Sequence, residues 1–112
     1  MNITYHGTPK PYFDSLDPGR PYVPRDYVKD GFIHTTEGRE ELAMALNRHY
    51  RGDRDPYVVL VIDKDRVTAP VRYDDAARVF PHIYGPLNRD AIVRVARIER
   101  ADDGTFMTLQ ED

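Results

Sequence analysis

The chain has 112 residues, 40% of them hydrophobic and 31% charged, with a formal net charge of −3. That is the length and composition of one ordinary globular domain with room for a single core. The acidic balance argues against a general nucleic-acid binder, and the absence of cysteine excludes disulfides, thiolate nucleophiles and cysteine zinc sites.

The opening MNITYHGTPK lacks the apolar stretch of a signal peptide, and the longest apolar run, 58–62, is far too short to span a bilayer. A cytoplasmic location with no membrane association is expected. Residues 3–6 read as a short strand entering a glycine. Prolines at 9, 11, 18, 21 and 24 then exclude long regular structure, because each removes a donor and fixes φ. Tyr12, Phe13, Leu16, Tyr22, Val23 and Tyr27 give this stretch apolar anchors, so it reads as an ordered wrap, with one helical turn over 12–16. Residues 32–34 form a second short strand.

Thr36 is then expected to cap a helix whose first turns carry Glu37, Glu40 and Glu41, where the macrodipole favours acid. Leu42, Ala45, Leu46, His49 and Tyr50 recur at helical spacing as its apolar stripe, and Gly52 follows its end. The β-branched run 57–62 predicts a central strand. A turn at 64–65, a strand at 71–73, a proline-bounded loop at 80–88 and a strand at 92–98 follow. Asp103-Gly104 predicts a hairpin turn returning along 105–109. The order predicts one α+β domain over 1–112, with a split or strongly bent antiparallel-rich sheet and one main helix.

Three segments carry the candidate chemistry. In His6-Gly7-Thr8, glycine admits backbone close to a flat ligand, and the imidazole and hydroxyl can hold a sugar. In His34-Thr35-Thr36, strand alternation sends His34 and Thr36 to one face. In the loop 80–85, Pro81 and Pro86 stiffen a segment that presents His82 and Tyr84. His49 reads as packing. Asp74 and Asp75 read as turn formers unless the fold brings them to the other segments. His6, His34 and His82 are three potential zinc ligands, but none is paired at short ligand spacing.

GFIHTT, NRHYRG, LVID, VRYD and FPHIYGPLNRDAIVRV resemble the family called domain of unknown function 952, over roughly residues 30–98. YHGTPKPYFDSL is similar to the first motif of diphtheria toxin and the poly-ADP-ribose polymerases. An HGT segment also occurs in the rifampin ADP-ribosyltransferases and the tRNA phosphotransferases. IHTT resembles the second motif of those two, and VRYDD and HIYGPL lie where the rifampin enzymes place an acidic segment and their last loop. There is no Q-x-E or E-x-E glutamate motif.

These resemblances imply an ADP-ribosyltransferase-like fold that binds NAD as substrate and transfers ADP-ribose to an unknown acceptor. They imply that His6 holds the adenosine-side ribose, the Gly7 backbone grips the nicotinamide amide and Thr8 supports that turn. His34 and Thr36 take the second-motif positions. Asp74, with Asp75 second, is the catalytic carboxylate, and Tyr12, Tyr22 or Tyr84 supplies stacking beside His82. A non-catalytic module that reads NAD or ADP-ribose, a three-histidine metal hydrolase, and a structural protein remain as rivals.

Overall fold

The computed structural model describes residues 1–110. Among these residues six strands form two three-stranded sheets in which every neighbouring pair is antiparallel. The first sheet runs β1 (Ile3–Pro9), β3 (Tyr57–Asp63), β6 (Ile92–Arg97), and the second runs β2 (Ile33–His34), β5 (Pro81–Ile83), β4 (Val71–Tyr73). This is an α+β fold, as the order of elements predicts. Paired backbone bonds between Tyr5 and Thr36 join the two sheets. Glu37, Lys64 and Tyr73 tie them again through a shared cluster of side-chain bonds.

β3 occupies the centre of the first sheet, and all seven of its residues are buried. Its alternate side chains feed two cores. Tyr57, Val59 and Val61 pack with Tyr5, Leu42, Leu46, Phe106 and Leu109. Leu60 and Ile62 pack on the other side with Tyr22, Ile33, Ile83, Leu87 and Ala91. A strand buried on both faces has no polar side to alternate with, which is why 57–62 reads as a continuous apolar run.

The helices are α1 (Lys10–Ser15), α2 (Tyr27–Asp30) and α3 (Arg39–Tyr50). None among the described residues is long and apolar enough to cross a membrane. α3 starts later than expected. Thr36 is buried and spends its backbone on the Tyr5 bridge, and Gly38 occupies the cap position at φ 92°. A side chain is disfavoured at Gly38 because L residues rarely adopt φ 92°. The buried face of α3 is Leu42, Ala43 and Leu46, while His49 is exposed at the cleft, outside the core expected for it, with its ring tilted toward Tyr50.

Three other expectations change. Residues 80–88 are not wholly loop, because β5 runs from Pro81 and supplies the middle strand of the second sheet. Proline is tolerated at the first residue of a strand. Residues 105–109 form no strand; a single bridge joins Arg100 to Phe106. The wrap after β1 is ordered as expected, but it also contains α2, which ends at Gly31 in the left-handed conformation, φ 79°.

Candidate active site

Register sets the site. Across the second sheet Ile33 lies opposite Ile83, and Ile83 opposite Val71; this row faces the second core. One residue along each strand, His34 lies opposite His82, and His82 opposite Arg72. Alternation puts this polar row on the other face of the sheet. Phe32 and Tyr84 share that face by the same period. Phe32 stacks on His82 with centroids 4.1 Å apart and leans on His34 at 4.6 Å. The two imidazoles stand edge to face at 5.3 Å.

Each histidine is held by a carboxylate. His34 Nε2 lies 3.1 Å from Asp30, four residues earlier at the end of α2. His82 Nδ1 lies 3.0 Å from Asp74, just past β4, and the Tyr84 hydroxyl donates to the same Asp74 oxygen at 2.5 Å. Arg72 approaches the other oxygen at 3.9 Å. The Tyr84 bond first, then His82 and Arg72, hold the Asp74 carboxyl below its ordinary value and keep it ionised. The same bond raises the Tyr84 phenol. Burial lowers His34, with Asp30 opposing.

A cleft of about 670 Å³ opens beside this row, between the second sheet, the end of β1 and α3. That volume is typical of a small-molecule site. His6, Gly7, Thr8, His34, Thr36, Asp74, Asp75 and His82 all line it, so the three candidate segments and both candidate carboxylates converge. Tyr50 and Phe80 add aromatic surface, and Lys29 and Arg48 reach it without a carboxylate partner among the described residues. Among the described residues no group of three or more histidine, aspartate or glutamate side chains is arranged to hold a metal ion.

Within the cleft wall the residues divide by what already occupies them. The ring of His6 is 7% exposed and both its nitrogens are engaged. Nδ1 donates to the His34 carbonyl at 2.6 Å, so Nε2 accepts from the Tyr22 hydroxyl at 2.8 Å. Thr8 bonds the same Tyr22 hydroxyl. His6 and Thr8 therefore grip the proline-rich wrap, and the ribose contact expected of His6 conflicts with its partners. Burial pushes its pKa down to about 4, which keeps the ring neutral. Gly7 answers a packing need: a Cβ there would lie 2.7 Å from the buried Leu46.

Asp75 accepts from the Val79 and Phe80 amides and closes the loop before β5, whereas Asp74 presents itself to side chains. Tyr12 donates to the Val23 carbonyl at 2.6 Å and Tyr22 is fully buried, so these two are anchors of the wrap and do not line the cleft. Tyr84 also lies outside the lining and acts on the cleft through Asp74. Asp30, Phe32 and Arg72 belong to the site although sequence reasoning passed over them. Their signals were spacing: Asp30 four residues before His34, Phe32 two before it, Arg72 two before Asp74.

A family model described as protein of unknown function (DUF952) matches residues 8–95. The crystal structure of protein CC0527 from Caulobacter crescentus is similar at 20% identity, covering 95% of this chain and 94% of that one, with a TM-score of 0.78. The solution NMR structure of CC0527 is similar at 23% identity, covering 93% and 90%, with a TM-score of 0.69. At these identities the likeness is one of fold. No curated protein matches the chain.

Proposed function

The chain belongs to the DUF952 family, a membership that brings no activity with it, and from the cleft itself we propose an ADP-ribosyltransferase-type function: NAD is bound, its nicotinamide–ribose bond is cleaved and ADP-ribose passes to an acceptor. The observation that carries this reading is the convergence of the YHGT, HTT and FPHIYG segments on one cleft with a held, ionised Asp74.

Breaking the nicotinamide–ribose bond builds positive charge on the sugar. A carboxylate fixed in advance stabilises that charge more in the transition state than in the ground state. Asp74 suits this role because Tyr84 and His82 orient it and keep it ionised. Tyr50, Phe80 and His82 offer flat surfaces for the two bases of the dinucleotide, and Lys29 and Arg48 offer charge for its pyrophosphate. With His6 and Thr8 committed to Tyr22, the ribose hydroxyls fall to Thr36 and to backbone at the end of β1. No metal enters the scheme.

The test is incubation with NAD and assay of free nicotinamide. Asp74→Asn keeps the shape but removes the charge, and is expected to slow release by a factor on the order of 100 with little change in NAD affinity. Asp75→Asn is expected to lower stability and spare turnover, since its bonds are to loop amides. Binding of NAD without release of nicotinamide would leave a binding module. Failure to bind NAD at all would sink the reading whole.

A further inference from the structure

The two histidines of the cleft row are held alike but placed differently. A carboxylate only accepts, so the nitrogen facing it carries the ring proton. His82 is thereby fixed as the Nδ1–H form by Asp74, and its side chain is 18% exposed. His34 is fixed as the Nε2–H form by Asp30, and its side chain is 54% exposed. That leaves His34 Nδ1 with a free lone pair and no hydrogen-bond partner among the described residues. His82 already serves Asp74, whereas nothing in the charge-stabilising cluster uses His34.

We propose that His34, oriented by Asp30, is the general base that takes the acceptor's proton, and that the acceptor's attacking atom is a hydroxyl or water oxygen. This rests on the ribosyl-transfer reading of the same cleft. The C1′–N bond of NAD breaks with its electron pair going to the nicotinamide nitrogen. The acceptor oxygen forms the new C1′–O bond, and its proton passes to His34 Nδ1 and then to solvent. No oxidant, reductant or further reactant is needed.

The acceptor class follows from proton affinity. A lysine ammonium holds its proton about 4 pH units more tightly than an ordinary imidazole, and a guanidinium about 6. A neutral imidazole is a poor base for either. An attacking hydroxyl becomes a strong acid as its bond to C1′ forms, and a weak base suffices. A carboxylate acceptor needs no base. The charges around His34 keep it in its basic form at neutral pH: Asp30 from α2 favours the protonated ring, while burial, His82 from β5 and His49 from α3 oppose it. His6 from β1 is itself neutral, and Asp74 acts from behind His82.

The experiment follows nicotinamide and the ADP-ribosyl product with NAD in water, with added methanol, and with agmatine as a guanidine probe. ADP-ribose is expected in water and methyl ADP-ribose with methanol, with no agmatine adduct. Product formation by the wild-type protein is expected to fall on the acid side as His34 protonates. His34→Gln is expected to remove that limb and slow product formation by a factor on the order of 100, with NAD binding retained. Asp30→Asn is expected to shift the limb to lower pH, because a charge favouring the protonated ring is gone. A wild type that releases nicotinamide while His34→Gln keeps its rate and acid limb overturns this inference alone. So does an agmatine adduct formed in preference to the methanol product. A wild type that releases no nicotinamide overturns the parent reading and this one with it.

Discussion

At the scale of single residues, the instructive contrast is between His6 and His34. Both line the cleft, yet His6 is committed to the His34 carbonyl and the Tyr22 hydroxyl while the His34 ring is open to solvent. The His6 pKa falls from 6.5 to about 4 in the folded protein, so its contribution to stability is complete above pH 6.5 and is lost as pH falls toward 4. The loss approaches about 3 kcal/mol at most. Urea melts between pH 7 and 4 are expected to show this decline, and His6→Gln to flatten it. Depressed carboxylates such as Asp103 lose their contribution only at more acid pH, so the two windows separate. Tyr22→Phe, which leaves His6 Nε2 buried without a donor, is expected to cost about 1–3 kcal/mol. This latch was not legible in the sequence. Strand-end histidine followed by glycine reads the same whether its partner is a ligand or a tyrosine sixteen residues away. Asp74, His34 and His82 were legible as candidates, because strand, acid and stiff loop occur in that order; the resemblance ranks Asp74 ahead of Asp75, but an Asp-Asp pair does not show that one bonds side chains and the other loop amides.

At the scale of elements, α3 is fixed at its middle and at its C-terminal end. Its middle rests on β1 where Gly7 lets Leu46 come close. Leu46→Ala is expected to destabilise by about 2–5 kcal/mol, and Gly7→Ala by about 1–3 kcal/mol through overpacking. Combined, they are expected to cost less than their sum, since the truncated Leu46 no longer meets the new methyl. Additivity in denaturant melts would show that the clash lies elsewhere. The C-terminal end of α3 is closed by Arg100, whose guanidinium donates to the Tyr50, Arg51, Asp55 and Gly104 carbonyls and lies 4.0 Å over the Phe106 ring. Helix-end carbonyls otherwise lack partners, and a planar fork serves several at once. Arg100→Lys is expected to cost about 2 kcal/mol by the loss of two or so such bonds, read as a lowered melting midpoint.

The elements themselves were mostly visible in the sequence where a single physical cause dominated. The run 57–62 is apolar because β3 is buried on both faces. β5 was hidden because Pro81 reads as a breaker, although the first residue of a strand tolerates it. The stretch 105–109 follows an Asp-Gly turn that suits a hairpin, yet Phe106 and Leu109 are spent covering the first core, with a single bridge to Arg100 among the described residues. The Thr36 side chain suits a helix cap, but its backbone is needed to join the sheets.

At the scale of the whole molecule, the cleft lies where the first sheet and α3 meet the second sheet, whose shared core joins Leu60 and Ile62 to Ile33 and Ile83. α3 and β1 belong to the first core, and the His34–His82 row belongs to the second sheet. The Tyr5–Thr36 bridge, the Glu37–Lys64–Tyr73 cluster and the Thr4–Thr35 and His6–His34 bonds also join them. A ligand filling the cleft therefore touches both layers and stabilises the domain as a unit. At 100 times its dissociation constant, NAD is expected to add about 2.7 kcal/mol, which for a domain of this size raises the melting midpoint by roughly 10 °C or somewhat more. Arg89→Lys, at a residue whose partners Asp17, Arg20 and Phe13 lie outside the cleft lining, is expected to lower the midpoint without NAD and to keep the same ligand-induced rise. Lys29→Glu combined with Arg48→Glu, on the cleft wall, is expected to leave the free protein little changed and to cut the rise by weakening the pyrophosphate contacts. Nicotinamide alone, lacking the pyrophosphate, is expected to give a rise indifferent to that pair of substitutions. If the paired charge reversal leaves the NAD-induced rise intact, the dinucleotide does not lie across this wall, and the cleft takes its ligand in another orientation.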